Sequence, residues 1–443
     1  MSETSRTLRN DLAPEFLRAL KTLAAHGHVD SSALALSLLG DAQRARVSDI
    51  HFEPRTSGMH LRFRIDGALS DVAELPADHG RIVINQFKAI SDLDPVTRFT
   101  AKDTRATVDL DDAALDIRLA LAPCHHGEAL VVRLLDPKRL ERSVEELGLS
   151  GRTLAQIEQW LENVTGMFLC AGPTGSGKTT TNYALLHELK FADRAIVSIE
   201  DPVEYQIDGI TQIRIDELHH VDFAEAVKSV LRLDPDFLML GEIRDAASAH
   251  SAVNAAISGR VLLSTVHSRD AVGAITALRN WGLPDHEIAE ALVVVVAQRL
   301  VRKLCPHCRR KVKPSASDLK WLSAMNLSTR ATLWDATGCN ECQNLGYRGR
   351  TGVFELWRLD ETDYHLLLDH ADEHALRQSF AAKSQNTLLS DAFGKVLDGT
   401  TSLAEIRKLS GLSVATKQAG SRGNHFAPRK RAQLLRSAAS LKR

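Results

Sequence analysis

The stretch that decides the fold of this chain reads Cys170-Ala-Gly-Pro-Thr-Gly-Ser-Gly-Lys-Thr-Thr180. It contains the complete pattern GxxxxGK[ST], in which glycines let backbone N–H groups turn towards phosphate oxygens without a Cβ in the way. In this pattern Lys178 reaches the β- and γ-phosphates of a nucleoside triphosphate, and the hydroxyl of Thr179 binds Mg²⁺. The predicted phosphate-binding residues are Gly172, Pro173, Thr174, Gly175, Ser176, Gly177, Lys178, Thr179 and Thr180.

The flanking residues place this loop between a strand and a helix. The apolar run Met167-Phe-Leu-Cys-Ala171 is typical of a short buried strand, and residues 180–189 are typical of a helix. The positive N-terminal end of that helix would face the bound anion. A glycine-rich turn without a ligand is the alternative interpretation, and the order strand, loop, helix favours the nucleotide site. The sequence therefore predicts an α/β fold with a P-loop NTPase core.

Length and composition indicate the class of protein. The chain has 443 residues, 44% of them hydrophobic and 25% charged, which is typical of a globular protein with about two to four domains. Its formal net charge of −1 gives no general attraction to anionic membranes or nucleic acid, and no specific nucleic-acid partner is expected. The first eleven residues carry acids and lack an apolar core, which argues against a signal peptide. The longest apolar run, residues 291–297, is far shorter than the ~20 residues of a membrane-spanning helix. We therefore expect a cytoplasmic protein that reaches a membrane only through partners.

The residues before the loop predict two smaller units. In residues 1–46, apolar residues at spacings of four and three predict a helical segment that either packs on the protein or docks on a partner. From residue 47 the pattern changes to the alternation typical of strands, seen in residues 48–54 and 59–65. This pattern predicts a small α+β domain that extends to residue 140.

Two arginines fall on predicted strands of this small domain. Arg118 lies in the strand 115–122, and Arg133 lies in the strand 131–135. From the residues alone, a solvated arginine on a strand is the simpler interpretation of each.

Three acids follow the first predicted strand after the loop. The apolar strand 195–199 leads into Glu200, Asp201 and Glu204. Carboxylates at the C-terminal end of a parallel strand face the ligand crevice of the sheet. One of these acids could orient or deprotonate an attacking water, and an acidic surface turn is the alternative.

The next two predicted strands end in further candidates. Strand 237–240 delivers Glu242 to the position where, after a phosphate loop, an acid binds Mg²⁺ or its water. Strand 261–267 ends in His267, which together with Ser264 and Thr265 could sense the γ-phosphate. A structural histidine is the alternative.

Four of the six cysteines form two CxxC pairs, Cys305-Pro-His-Cys308 and Cys339-Asn-Glu-Cys342. Four thiolates in two such pairs satisfy tetrahedral Zn²⁺ and leave no open position, which predicts a structural zinc site. His307 lies inside the first pair and is not an expected ligand. Redox chemistry is the alternative interpretation.

The chain ends in a basic segment. Residues 411–443 hold eight Lys or Arg and no acid, with Ser, Gly and Ala between them. This composition predicts a flexible basic tail that is either solvated or in contact with acidic lipid or a partner.

Taken together, these stretches resemble the secretion and pilus-assembly ATPases, the group of the type II secretion ATPases and type IV pilus extension ATPases. The resemblance runs from about residue 47 to residue 406. The motifs that carry it are Ser48-Asp-Ile-His-Phe-Glu-Pro54, Arg62-Phe-Arg-Ile-Asp-Gly67, Asp116-Ile-Arg118, Gly127-Glu-Ala-Leu-Val-Val-Arg133, the aspartate box Ser198-Ile-Glu-Asp-Pro-Val-Glu204, the Walker B segment from Leu233 to Asp245, the histidine box Leu263-Ser-Thr-Val-His267, and Ala297-Gln-Arg-Leu-Val-Arg-Lys-Leu-Cys305.

The resemblance implies a RecA-like ATPase and a role for each candidate. Arg118 and Arg133 would act as arginine fingers on the nucleotide when the two domains close. Glu204 would be the catalytic base, Glu242 the acid of the metal and water shell, and His267 the γ-phosphate sensor.

The resemblance also implies a domain organisation. We expect a reduced docking region at 1–46, a small arginine-supplying domain at 47–140, a RecA-like domain at 141–410 with a zinc module at 300–350, and the tail at 411–443. Many family members carry a full docking domain before the Ser-Asp-Ile-His motif, where this chain has only a short lead-in.

We therefore expect a hexameric, Mg²⁺-dependent ATPase, peripheral to the bacterial inner membrane, that powers assembly of a pilus or a pseudopilus. Its expected partners are an inner-membrane platform protein and cytoplasmic docking proteins. The motifs do not separate secretion from pilus extension. A nucleotide-binding regulatory or scaffold subunit with little turnover is the alternative, because the chain departs from the family pattern at Ala247, Arg260 and Arg269.

Overall fold

The structure is a computed structural model that describes residues 8–26, 30, 32–96, 101–110, 113–135, 141–190, 194–215, 222–383 and 386–409. The predicted tail at 411–443 lies outside the described residues. The strands are β1 (Val47–Arg55), β2 (Gly58–Ile65), β3 (Ala68–Leu75), β4 (Lys102–Leu110), β5 (Ala113–Cys124), β6 (Gly127–Leu135), β7 (Met167–Ala171), β8 (Ile196–Glu200), β9 (Thr211–Arg214), β10 (Phe237–Leu240), β11 (Val261–Val266), β12 (Leu292–Leu304), β13 (Arg309–Val312), β14 (Leu333–Ala336) and β15 (Tyr347–Arg358). The helices are α1 (Pro14–His26), α2 (Ala33–Arg44), α3 (Ala77–Ile90), α4 (Gly151–Glu162), α5 (Lys178–Leu189), α6 (Phe223–Val230), α7 (Ala246–Ile257), α8 (Ala271–Asn280), α9 (Asp285–Ala291), α10 (Ala316–Ala324), α11 (Glu361–Leu368), α12 (Glu373–Lys383), α13 (Leu388–Leu397) and α14 (Leu403–Arg407).

A seven-stranded sheet carries the phosphate loop. Its strand order is β15-β12-β7-β11-β10-β8-β9. Neighbouring strands run parallel, except that β15 is antiparallel to β12. Because the C-terminal ends of parallel strands share one edge, the loops that follow β7, β8, β10 and β11 lie side by side at that edge.

Helices cover both faces of this sheet. Met167 and Leu169 of β7 pack into one core with α6–α9 and α11–α14, whereas Phe168 and Cys170 pack into another with α4 and α5. Burial on both faces explains why the central strands read as continuous apolar runs. In the described part of the chain, no helix is both long and apolar enough to cross a bilayer.

A second sheet of six antiparallel strands lies earlier in the chain, in the order β3-β2-β1-β6-β5-β4. Helices α1, α2 and α3 pack on one of its faces and share a core that includes Phe16, Leu38 and Phe52. Since side chains alternate along a strand, the neighbours of buried Ile117 and Val132 point to the opposite face. That opposite face carries Arg118 and Arg133, and we call it the charged face of the small sheet.

Several strands of the structure were not predicted from the sequence pattern, among them β3, the short strands β9, β13 and β14, and most of β12. Strand β3 mixes acids with half-buried residues and has no clean alternation. Strand β12 covers thirteen residues, of which the pattern reveals only the apolar run at 291–297. The polar second half of β12 is a strand because it pairs with β15 as far as Leu304.

Candidate nucleotide-binding site

The phosphate loop leaves β7 at the C-terminal edge of the large sheet. The N–H of Gly172 donates to Val266 O at 3.1 Å, which fixes the entry to the loop against the end of β11. A Cβ on Gly172 would lie 2.7 Å from Gln298 O, so a larger residue does not fit there. Gly177 has a φ of +91° and caps the N-terminus of α5, a conformation that favours glycine. The predicted strand, loop and helix are therefore all present.

Lys178 lies inside the loop and is only 8% exposed. Its Nζ donates to Gly172 O at 2.9 Å and to Pro173 O at 3.3 Å. Burial lowers the pKa of Lys178, while the negative charge of Glu242 acts in the opposite direction. The ammonium group thus occupies the turn in which the phosphates of a nucleotide would bind.

The other predicted loop residues differ in exposure. Thr174, Gly175 and Thr179 are exposed, and Ser176 is buried. Ser176 Oγ has no hydrogen-bond partner among the described residues. Thr179 lies in the first turn of α5, where its hydroxyl is a suitable ligand for Mg²⁺. The nucleotide contacts of the nine loop residues stay predictions.

A buried glutamine on β12 holds the loop to the helix behind it. Gln298 Nε2 donates to Ser176 O at 2.9 Å, and Gln298 Oε1 accepts from Thr181 Oγ1 at 2.9 Å. The residue is 1% exposed. Its amide therefore bridges the phosphate loop and α5, and both of its polar ends are satisfied.

Glu200, the first acid after β8, has a structural role. It is buried, and its carboxylate accepts hydrogen bonds from Tyr183 Oη, from Ser198 Oγ at 2.6 Å and from Gln212 Nε2 at 3.1 Å. A carboxylate with three partners in the protein is not free to activate water.

The other two acids have different surroundings. Asp201 pairs with Arg244, with 3.0 Å between Oδ2 and Nη1. Glu204 is exposed, and its carboxylate has no hydrogen-bond partner among the described residues. Of the three acids, Glu204 is therefore the one that is free to act on a water molecule.

Glu204 interacts with the charged face of the small sheet. Although Glu204 is exposed as a residue, the protein surrounding its carboxyl displaces part of the water there and raises its pKa, whereas the charges of Arg105, Arg133 and Arg118 lower it. The charges of these three arginines of the small sheet therefore all influence one acid of the large-sheet unit. Arg105 was not among the residues predicted from the sequence.

Arg118 and Arg133 are directly opposite each other on β5 and β6. Arg118 donates to Asp103, from Nε at 2.8 Å and from Nη2 at 2.7 Å. Arg133 Nε donates to Asp49 Oδ1 at 2.8 Å. Both guanidinium groups thus rest on acids of the small sheet.

Glu242 and His267 lie together at the ends of β10 and β11. His267 Nε2 is 3.5 Å from Glu242 Oε2, and Arg244 contacts the other carboxylate oxygen. Thr265 Oγ1 donates at 2.9 Å to the backbone carbonyl that precedes Glu242, which ties the two strand ends together. The structure therefore brings together the predicted metal-shell acid and the predicted phosphate sensor.

The four cysteines of the CxxC pairs form a second site. The Sγ atoms of Cys305, Cys308, Cys339 and Cys342 all lie within 4.8 Å of one another. The separations are 3.8 Å for Cys305–Cys339, 3.9 Å for Cys308–Cys342 and 3.8 Å for Cys339–Cys342. Thiolates bound to one tetrahedral zinc ion at ~2.3 Å would lie about 3.8 Å apart. The cluster therefore fits Zn²⁺.

Backbone groups stabilise a thiolate at Cys342. The N–H groups of Cys339 and Gly346 donate to its Sγ at 3.3 and 3.2 Å. Burial by itself would raise the pKa of Cys342, but these donors, together with the thiols of Cys339 and Cys308, lower the pKa to about 7. Between the two cysteine pairs the chain forms β13, α10 and β14, so it folds out and returns.

Comparison with known proteins identifies the family. The family model for the type II/IV secretion system protein matches residues 28–408. The chain belongs to this family. Among the relatives of the chain is the type II secretion system ATPase E of Vibrio cholerae, which is 36% identical over 374 residues, 84% of this chain and 74% of the relative.

Two solved structures share the fold. The ATPase DotB of Legionella pneumophila is 18% identical, with a TM-score of 0.63 over 86% of this chain and 96% of that one. The pilus retraction motor PilT, solved with bound ADP, is 19% identical, with a TM-score of 0.56 over 85% of this chain and 96% of that one. These likenesses confirm the predicted α/β fold with a RecA-like core.

Family membership also confirms the predicted resemblance and the predicted class of enzyme, an ATP hydrolase with a P-loop. The division into domains and the roles of individual side chains stay predictions. The contacts of four residues were not predicted from the sequence, namely Asp49, Asp103, Arg105 and Gln298. A single polar or charged side chain on a strand has no local signal of its role, and only the strand pairing brings these residues to their partners.

Proposed function

We propose that this secretion ATPase is a Mg²⁺-dependent, hexameric motor that powers assembly of a pilus or pseudopilus at the bacterial inner membrane. The observation that carries the proposal is that positive charges of the small sheet reach an acid at the phosphate-loop edge of the large sheet. There Arg105, Arg118 and Arg133 act on Glu204. A nucleotide on the loop would lie between two separately folded sheets, so its hydrolysis would change how they close on each other.

The large sheet would supply the groups that bind and attack the nucleotide. Lys178 would bind the β- and γ-phosphates, Glu204 would take a proton from the attacking water, and His267 would contact the γ-phosphate. Thr179 and Glu242 would hold Mg²⁺ directly or through water. When bound, this ion neutralises phosphate charge.

The small sheet would supply positive charge. Arg118 and Arg133 would leave their acids and contact the γ-phosphate as charge develops there, an effect that can be worth ~10³-fold or more in rate. We propose the domain division accordingly, with residues 47–140 as the arginine-supplying unit and residues 141–410 as the ATPase unit.

The cysteine cluster would hold a structural Zn²⁺, because its four ligands leave no open position.

The proposed partners are an inner-membrane platform protein and cytoplasmic docking proteins. The name of the Vibrio cholerae relative supports a secretion system. Deleting the gene in the source organism would distinguish the systems, because a secretion motor would be needed for extracellular enzymes and a pilus motor for surface fibres.

Phosphate release by the full chain tests the enzymatic part of the proposal. We expect release that depends on Mg²⁺ and disappears in Lys178→Ala, while Lys228→Ala on the exposed surface of α6 keeps wild-type turnover. Light scattering with and without nucleotide should give the mass of six chains. Nucleotide binding without turnover in the wild-type hexamer would instead favour a regulatory or scaffold subunit.

A further inference from the structure

The charged face of the small sheet contains one row of residues that crosses five strands. Strand register aligns Arg105, Arg118 and Arg133 as direct neighbours on β4, β5 and β6, and continues to Asp49 and Arg64 on β1 and β2. Like charges directly opposite each other on a sheet are destabilising. Acids must therefore compensate this row wherever the arginines are not bound to an anion.

The compensation is uneven along the row. Arg118 makes two parallel hydrogen bonds to Asp103, and Arg133 makes one to Asp49. Arg105 has no hydrogen-bond or ion-pair partner among the described residues. Hydrogen bonding to Asp103 raises the pKa of Arg118, and hydrogen bonding to Arg118 lowers the pKa of Asp103, as expected for a charge-assisted pair.

The pair uses the edge of Arg118 that a phosphate would need. A guanidinium binds a carboxylate or a phosphate best through two parallel N–H groups, and here Nε and Nη2 are both directed at Asp103. Asp103 and a nucleotide phosphate would therefore compete for the same two donors. Both partners are partly exposed, at 36% and 52%, so the carboxylate is accessible to displacement.

We propose that Asp103 is a positioning residue that holds Arg118 on the small sheet until a nucleotide phosphate displaces it, and that Asp103 thereby weakens the apparent affinity for ATP. The inference rests on the proposed role of Arg118 at the nucleotide. In this role the carboxylate of Asp103 opposes closure of the two domains. Its opposition is stronger when the phosphate loop is empty or holds ADP than when the loop holds ATP.

The direction of the effect distinguishes restraint from simple support. Asp103→Asn keeps the shape of the side chain and removes its charge. Exposed ion pairs of this kind contribute about 0.2–1 kcal/mol, which corresponds to a change in equilibrium constant of up to about five-fold. We expect the KM for ATP to fall about two- to five-fold in Asp103→Asn, with a smaller effect in high salt.

Asp116→Asn is the matched control. Asp116 is exposed on β5, two residues from Arg118, and accepts a hydrogen bond from Thr107 Oγ1 at 2.6 Å. This variant should keep the wild-type KM. Thermal unfolding of both variants should show that each retains its fold, since both sites are at the surface.

The experiment measures phosphate release against ATP concentration in the full-length wild type, Asp103→Asn, Arg118→Ala and the double variant. A lower KM in Asp103→Asn that vanishes in the Arg118→Ala background supports the inference. An unchanged or higher KM in Asp103→Asn, with reduced kcat, overturns it and makes Asp103 a support for catalysis. If Arg118→Ala alone leaves turnover at the wild-type value, the proposed role of Arg118 at the nucleotide is wrong, and the inference about Asp103 is wrong with it.

Discussion

Replacing Gln298 with leucine should weaken ATP binding much more than the fold. The side chain joins the phosphate loop to α5 through Ser176 O and Thr181 Oγ1, both at 2.9 Å. Leucine has a similar size and no polar atoms, so both partners would lose a buried hydrogen bond. The loop would then no longer be held in the conformation that surrounds Lys178.

The magnitude follows from the two lost contacts. Each buried polar group left without a partner costs about 1–3 kcal/mol, so the two together cost about 2–6 kcal/mol. At about 1.4 kcal/mol per factor of ten, even the lower end corresponds to ~30-fold in the population of the correctly formed loop. We therefore expect the KM for ATP to rise about 30-fold or more in Gln298→Leu, with a smaller change in kcat because bound ATP restores the loop.

A second glutamine provides the control. Gln86 on α3 is buried, accepts from Ala35 N at 2.9 Å and donates to Asp30 O at 3.4 Å. Gln86→Leu should lower the free energy of unfolding by a similar amount and leave KM unchanged. A wild-type KM in Gln298→Leu, or an equal rise in both variants, would refute the reasoning.

Two further predictions concern the metal and the pH dependence. Metal analysis should give about one zinc ion per chain. The variant Cys339→Ser should lose this zinc, whereas the control Cys124→Ser, at an exposed cysteine, should keep it. Zinc retained in Cys339→Ser would exclude this cluster as the site. Activity should fall as pH decreases through the pKa of Glu204, because the base must be ionised, and burial raises that pKa above the usual range for glutamate. Arg105→Ala removes a charge that lowers this pKa, so the acid limb of the pH profile should move to higher pH, while Arg310→Ala on the exposed surface of β13 should leave it in place. An acid limb unchanged in Arg105→Ala would contradict the assignment of Glu204.

The local parts of the site were predictable because each has its own signal in the sequence. The glycines and lysine of the loop, the apolar run of β7 and the acids at strand ends are readable within a few residues of one another. The order of parallel strands then places their C-terminal ends at one edge, which is why Glu242 and His267 are found together. The same reasoning could not separate Glu200 from Glu204, because their different burial depends on packing against α5.

The contacts across the sheets could not be read from the sequence. Gln298 meets Ser176 across 122 positions of the chain, and only because β12 lies directly beside β7. Most of β5 was predicted, as the strand 115–122, but the partner of Arg118 depends on the register of β5 with β4, and a shift by one residue would turn Asp103 to the other face. Long-range pairing and register are properties of the folded sheet, which local patterns do not specify.

Strand β12 has a mechanical consequence for the two sites. It holds Gln298 against the phosphate loop and leads directly into Cys305, so seven residue steps of extended chain, about 23 Å, separate the two. Pairing with β15 as far as Leu304 keeps this length from stretching. If the phosphate loop moves and Gln298 moves with it, β12 would transmit that displacement along its axis to the cysteine cluster. The position of the cysteine cluster would then depend on whether nucleotide is bound about 23 Å of strand away.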